Sequence, residues 1–177
     1  MLVSFLYESF ISSDNPRAFF ASNNLVVPSA LFSEVGGFDT RFPFAAGEDR
    51  DLCERLVSAG GELVFVPDAR VRHCHEMGLG EFLRQQYSYG RGARQLRRLR
   101  RHRDGLDRSF ETVGFYLRLV LYPSRFPPRW RVPLLCSLLA IGQVATFAGY
   151  AREALFSSFR REPDGGRTLR GPRSHDP

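Results

Sequence analysis

Apolar and polar positions along the chain alternate between two periods. Leu52, Cys53, Leu56 and Val57 recur at helical spacing behind an acidic start, and Gly60-Gly61 supplies the left-handed residue that stops such a helix. A shorter helix is expected after Pro28, with Ser29 as its cap, Phe32 and Val35 on its buried side and Gly36-Gly37 at its end. Residues 80–99 gather Phe82, Leu83, Gln86, Tyr87 and Tyr89 on one side of a third helix. Between these lie segments of strand character. They are residues 19–27, interrupted by Ser22-Asn23-Asn24, and residues 62–66 and 70–73, divided by Pro67-Asp68-Ala69. The apolar start, residues 1–11, suits helix and strand equally.

Two further blocks change character. Residues 94–108 are dense in arginine, with Leu96 and Leu99 as a weak apolar face. Residues 110–122 and 133–151 are apolar and aromatic, the second approaching the ~20 residues that cross a bilayer. Gln143 at its middle, among Gly142, Ala145, Ala148 and Gly149, suits packing against another helix. The alternative is a buried helix, or one lying in the interface and paired with residues 110–122. The arginine block fits a solvated helix, a nucleic-acid patch or a surface touching anionic lipid. It carries no stacking aromatics and no known nucleic-acid module, so nucleic acid is not expected as a partner, and the apolar block beside it favours lipid. Residues 160–177, rich in Gly, Pro, Arg and Asp, are expected to be disordered.

The net charge of +6 comes wholly from arginine, because the chain has no lysine. Three scattered cysteines imply no disulfide framework and fit a reducing compartment. Residues 1–10 lack the basic start and cleavage site of a signal peptide.

The chemistry concentrates in Gly47-Glu48-Asp49-Arg50-Asp51-Leu52. Three carboxylates in four positions suit a helix start, where exposed N–H groups and the dipole keep them charged. Asp51 is spaced to pair with Arg55. Taken alone this is an ordinary surface helix.

The order of GGFD, an aromatic loop, the GED-x-DL helix and ELVFVPDARVRH resembles the acceptor half of family 2 glycosyltransferases, over roughly residues 19–94. The resemblance implies an α/β fold. This would be a partial GT-A-type mixed sheet with flanking helices over residues 1–93, a basic linker at 94–109, and hydrophobic, membrane-associated helices over 110–159. It implies inverting transfer of a sugar from a nucleotide-sugar donor to a hydroxyl of a glycan or lipid-linked acceptor, at the cytoplasmic face of a bacterial membrane. Asp49 then matches the general base, Glu48 a neighbour that orients it or the acceptor, and Asn23 and Asn24 the acceptor-side strand. Both asparagines also suit plain pairing with neighbouring backbone. His73 matches a histidine that completes coordination of a divalent metal, Mn or Mg, on the donor diphosphate. A zinc site at His73-Cys74-His75-Glu76 is disfavoured, because adjacent ligands diverge and no second cluster closes the tetrahedron. Arg91 suits a phosphate contact or a solvated helix end. Ser88 stands where the Q-x-x-R-W pattern of processive relatives has arginine.

A GT-A enzyme also needs a nucleotide-binding half with a D-x-D. Only twenty-two positions precede Asn23, with no such motif. The chain therefore reads as the C-terminal part of a glycosyltransferase, inactive by itself. A non-catalytic membrane-associated interaction module derived from such an enzyme is the other reading, and donor binding separates the two.

Overall fold

The computed structural model describes residues 5–6, 9, 19–42, 46–72, 76–104 and 111–157. Within them the chain forms α1 (Ser29–Glu34), α2 (Glu48–Ser58), α3 (Leu79–Asp104), α4 (Val113–Leu121) and α5 (Val132–Ser157), with short 3-10 turns at Ser22–Asn24, Tyr122–Arg125 and Arg129–Arg131.

The two Gly-Gly pairs end α1 and α2 in the same way. Gly36 and Gly60 are left-handed, with φ of 79° and 87°. Gly36 N–H donates to Ser33 O at 3.0 Å and Gly37 N–H to Phe32 O at 2.9 Å. After α2, Gly60 donates to Val57 O at 3.0 Å and Gly61 to Leu56 O at 2.9 Å. Each double closure satisfies carbonyls that a helix end leaves open. Ser29 differs from expectation: it is the first helical residue, after Pro28, and no side chain caps α1. Thr112 caps α4, its hydroxyl accepting from Phe115 N–H at 3.3 Å.

The expected mixed sheet is not found. Among the described residues there is no strand, and every regular element is a helix. Residues 19–25, around the 3-10 turn, and residues 62–70, bent at 67–68, lie side by side, but side chains join them instead of a backbone ladder. Phe20 and Phe65 stack at 6.3 Å between centroids, and Asn24 Nδ2 donates to Ala69 O at 2.8 Å. The Ser-Asn-Asn segment turns as a 3-10 helix, because short polar side chains favour local turns over a ladder. A strand needs a partner's backbone groups, which alternation in one segment does not supply.

Two packing centres organise the helices. Phe5, Phe19, Cys53, Phe115, Leu119 and Tyr122 form a buried cluster that joins α2 to α4. Phe115 and Tyr122 both set their rings edge-on to Phe5, at 5.2 and 5.3 Å. The second centre is the seam between α3 and α5, which run in the same direction. A Cβ at Gly142 would lie 3.0 Å from the Phe82 ring, and one at Gly149 would overlap the Tyr87 carbonyl oxygen. Arg91 Nε meets Glu153 Oε2 at 2.9 Å further along. The division expected between residues 93 and 94 falls inside α3, which continues unbroken to Asp104.

The opposite side of α5 is bare and apolar, with Leu134, Val144, Phe147 and Leu155 all well exposed. The segment from Arg129 to Phe156 is long and apolar enough to cross a membrane, by length and composition.

Candidate active site

Gly47, with φ of 94°, turns the chain into α2, and Asp51 N–H donates to its carbonyl at 3.1 Å. Glu48, Asp49 and Asp51 follow in the first turn, as their spacing predicts. Successive helical side chains point about 100° apart, so Asp49 and Asp51 face nearly opposite ways.

Asp51 faces inward and is 1 % exposed. Its Oδ2 meets Arg55 Nε at 2.8 Å and its Oδ1 meets Arg103 Nη1 at 3.2 Å. Arg55 donates also to Val35 O at 2.6 Å, and Arg103 to Glu54 Oε2 at 2.7 Å. Arg100 completes the group with a close pair to Glu54. Asp51 is thus the structural acid of the three, with the Arg55 partner that the sequence indicates and a second, Arg103, from the arginine block. Much of that block turns inward: Arg97 Nη1 donates to the Tyr150 hydroxyl at 2.6 Å, and the Arg94 guanidinium lies 5.8 Å from the same ring.

Asp49 lies in a different setting. Burial pushes its carboxyl above the usual range. Backbone hydrogen bonding from Arg50 and Ser22 and the Arg50 charge oppose that shift without cancelling it. The Arg50 N–H reaches Asp49 Oδ1 at 2.8 Å. Burial thus acts against the helix start, which favours the charged carboxylate. Glu48 is shifted the same way, by burial first and then also by the charge of Asp49, and its Oε2 is enclosed with no hydrogen-bond partner among the described residues.

The segment before the Ser22–Asn24 turn meets the acidic helix, 33 residues on, where the Phe20 N–H reaches Cys53 Sγ at 3.4 Å. Asn23 and Asn24 are exposed there, and the Asn24 amide is engaged by Ala69 O. Tyr89 of α3 is 39 % exposed and lies within the field of these acids. Burial raises its hydroxyl, and the charges of Asp49 and Glu48 raise it further. Arg50 covers Phe19, its guanidinium 4.0 Å from the ring centre.

Arg91 is drawn toward α5 by Glu153. His73 lies outside the described residues. Among the described residues no three His, Cys, Asp or Glu side chains gather as a metal site. The letters Asp49-Arg50-Asp51 do not form one, since Asp51 is enclosed by arginines and points away from Asp49. These residues do not fit a metal, and no step is derived through one.

Residues 4–150 match the profile of the Glycosyl transferase family group 2. The chain belongs to this family. Family 2 glycosyltransferases commonly use divalent metals. Among relatives, the pre-mycofactocin glycosyltransferase of Mycobacterium tuberculosis is 39% identical over 72 residues, which cover 41% of this chain and 15% of that protein. The N-acetylglucosaminyl-diphospho-decaprenol L-rhamnosyltransferase of the same organism is 41% identical over 68 residues, covering 37% of this chain and 22% of that protein. The matched stretch thus spans less than a quarter of either relative. No solved structure matches the chain.

Proposed function

We propose that this chain carries the acceptor side of an inverting glycosyltransferase, with Asp49 as the general base. Asp49 takes the proton of an acceptor hydroxyl while that oxygen bonds to the anomeric carbon of a nucleotide sugar. The bond from that carbon to the diphosphate breaks, and the nucleoside diphosphate leaves with the electron pair. The observation that carries the reading is the separation of the two aspartates. Asp51 is withdrawn into ion pairs with Arg55 and Arg103, whereas Asp49 lies on the other side of α2, where Arg50 covers Phe19 and the Phe20 N–H reaches Cys53 Sγ at 3.4 Å.

Burial supports the role, since a raised carboxyl is the stronger base once ionised. Glu48, with its enclosed oxygen, is the neighbour that orients Asp49 or the acceptor. Asn23 and Asn24 line the acceptor approach. The acceptor is a glycan or lipid-linked glycan, a reading supported by the relative named for a decaprenol diphosphate substrate and by the bare apolar face of α5. The enzyme then works at the cytoplasmic face of a bacterial membrane.

Turnover of nucleotide sugars by the full-length enzyme, supplied with Mn²⁺ or Mg²⁺, tests the assignment. Asp49→Asn keeps the size of the side chain and removes the proton acceptor, so kcat should fall by about 10² to 10⁴ with donor affinity nearly unchanged. Near-normal turnover by Asp49→Asn would show that the base lies elsewhere.

A further inference from the structure

We propose that Gly92 is a positioning residue for the carboxylate pair, its bare backbone forming the seat that fixes Ala46-Gly47 and thereby the direction of Glu48 and Asp49. The catalytic consequence rests on the function proposed above, whereas the placement does not.

Gly92 is buried in the middle of α3, where glycine costs helix stability relative to alanine. A Cβ there would overlap the Ala46 carbonyl oxygen and stand 2.5 Å from its carbon and 2.7 Å from its Cβ. The approach is bare from the other side too. A Cβ on Gly47 would lie 3.2 Å from Gly92 O and 3.3 Å from the Phe42 ring, and the φ of Gly47 already favours glycine. Ala46 is 3 % exposed. Two backbones thus touch directly, one residue before the carboxylates begin.

The rest of α2 is held independently. Asp51 is bound by Arg55 and Arg103, and Cys53 is packed in the aromatic cluster. A side chain at position 92 therefore displaces the stretch that is less firmly held, which is Gly47, Glu48 and Asp49. Gly90, two residues from Gly92, has a separate duty. Its Cβ would overlap Thr146 O of α5 and stand 2.8 Å from Tyr150 N.

The test compares Gly92→Ala with Gly90→Ala in the full-length enzyme. Two quantities are read: the kinetics, and the titration of the Asp49 carboxyl followed by carbon-13 NMR. The titratable and polar groups coupled to Asp49 are Arg50 and the Ser22 amide, which favour its charged form, and Glu48, Cys53 and Tyr89, which feel its charge. None of them is changed by either variant. Gly92→Ala should lower kcat by about a hundredfold, the cost of misplacing a reacting group by an ångström, with donor KM nearly unchanged. The Asp49 titration should move down toward the ordinary carboxylate range as its burial loosens. Gly90→Ala should lower thermal stability and leave that titration in place. If Gly92→Ala does not fold, Ala46→Ser presses on the same contact with one added oxygen and should shift the titration in the same direction.

A folded Gly92→Ala or Ala46→Ser protein with the parental Asp49 titration overturns the proposal, even if turnover drops. The two readings fail separately. If Asp49→Asn keeps its turnover, the base assignment falls while the titration still decides the role of Gly92. If Asp49→Asn is inactive and the titration does not move, the positioning role alone falls.

Discussion

Asp49 and Asp51, two residues apart on α2, are the same chemical group in opposite circumstances. Asp51 is enclosed with two guanidinium groups, and removing one member of a buried ion network typically costs about 3–5 kcal/mol. Asp51→Asn should therefore lower the unfolding midpoint in a denaturant titration, and do so far more than Asp49→Asn. For Asp49 the sign reverses. Its folded-state pKa is raised above the unfolded value, so the folded chain holds that proton more tightly. The associated stability is present below the unfolded pKa and is lost as pH rises through the folded one. Asn cannot ionise and escapes that loss. Asp49→Asn should thus raise Tm at neutral pH, by about 2–4 °C per kcal/mol recovered, and leave it unchanged well below the carboxylate range. A Tm difference that stayed constant across that pH range would show that ionisation of Asp49 costs the fold nothing.

At the scale of elements, the helices were more legible than what joins them. Gly60-Gly61 and Gly36-Gly37 mark helix ends by a local rule, because a left-handed residue closes the last turn whatever lies beyond it. The Asp51–Arg55 pair is equally local, while Arg103 is 52 residues from Asp51 and no spacing rule discloses it. The strands failed for the same reason, since a ladder is a long-range property and residues 19–25 and 62–70 meet through side chains. The α3–α5 seam lies between these cases. Gly142 and Gly149 signalled a close helix contact, but only the fold identifies α3 as the partner. Gly149→Ala pushes a Cβ onto the Tyr87 carbonyl, and overpacking of that kind typically costs about 1–3 kcal/mol. The matching shift should be seen in thermal unfolding, together with faster amide exchange in α3 around Tyr87. Unchanged exchange there would place the seam elsewhere in solution.

For the molecule as a whole, the α3–α5 seam decides how the chain can meet a bilayer. α5 is long and apolar enough to span. Yet the side of α5 packed on α3 carries Tyr150 and Glu153, met by Arg91, Arg94 and Arg97. If α5 crossed the hydrocarbon with α3 still seated on it, these arginines would enter the membrane, where charged side chains are costly. α4 is similarly tied, since Phe115 and Leu119 belong to the cluster that holds Cys53 of the acidic helix. What remains for lipid is the outward face. It comprises Leu134, Val144, Phe147 and Leu155 of α5 and Leu117 and Leu121 of α4, with Trp130 between Arg129 and Arg131 at one end. An apolar face bordered by tryptophan and arginine suits insertion to headgroup depth, with the seam and the acids on the aqueous side. We therefore expect the protein to sediment with vesicles containing anionic lipid and to stay bound in high salt, because apolar burial outlasts screened charge. Leu134→Ser combined with Val144→Ser and Phe147→Ser should release it without unfolding. Cysteines placed at positions 130 and 156 should react with an impermeant reagent from the same side of sealed vesicles. Labelling from opposite sides would mean that α5 leaves α3 and spans, and recovery of the intact protein in the soluble fraction without detergent would remove the membrane from its function.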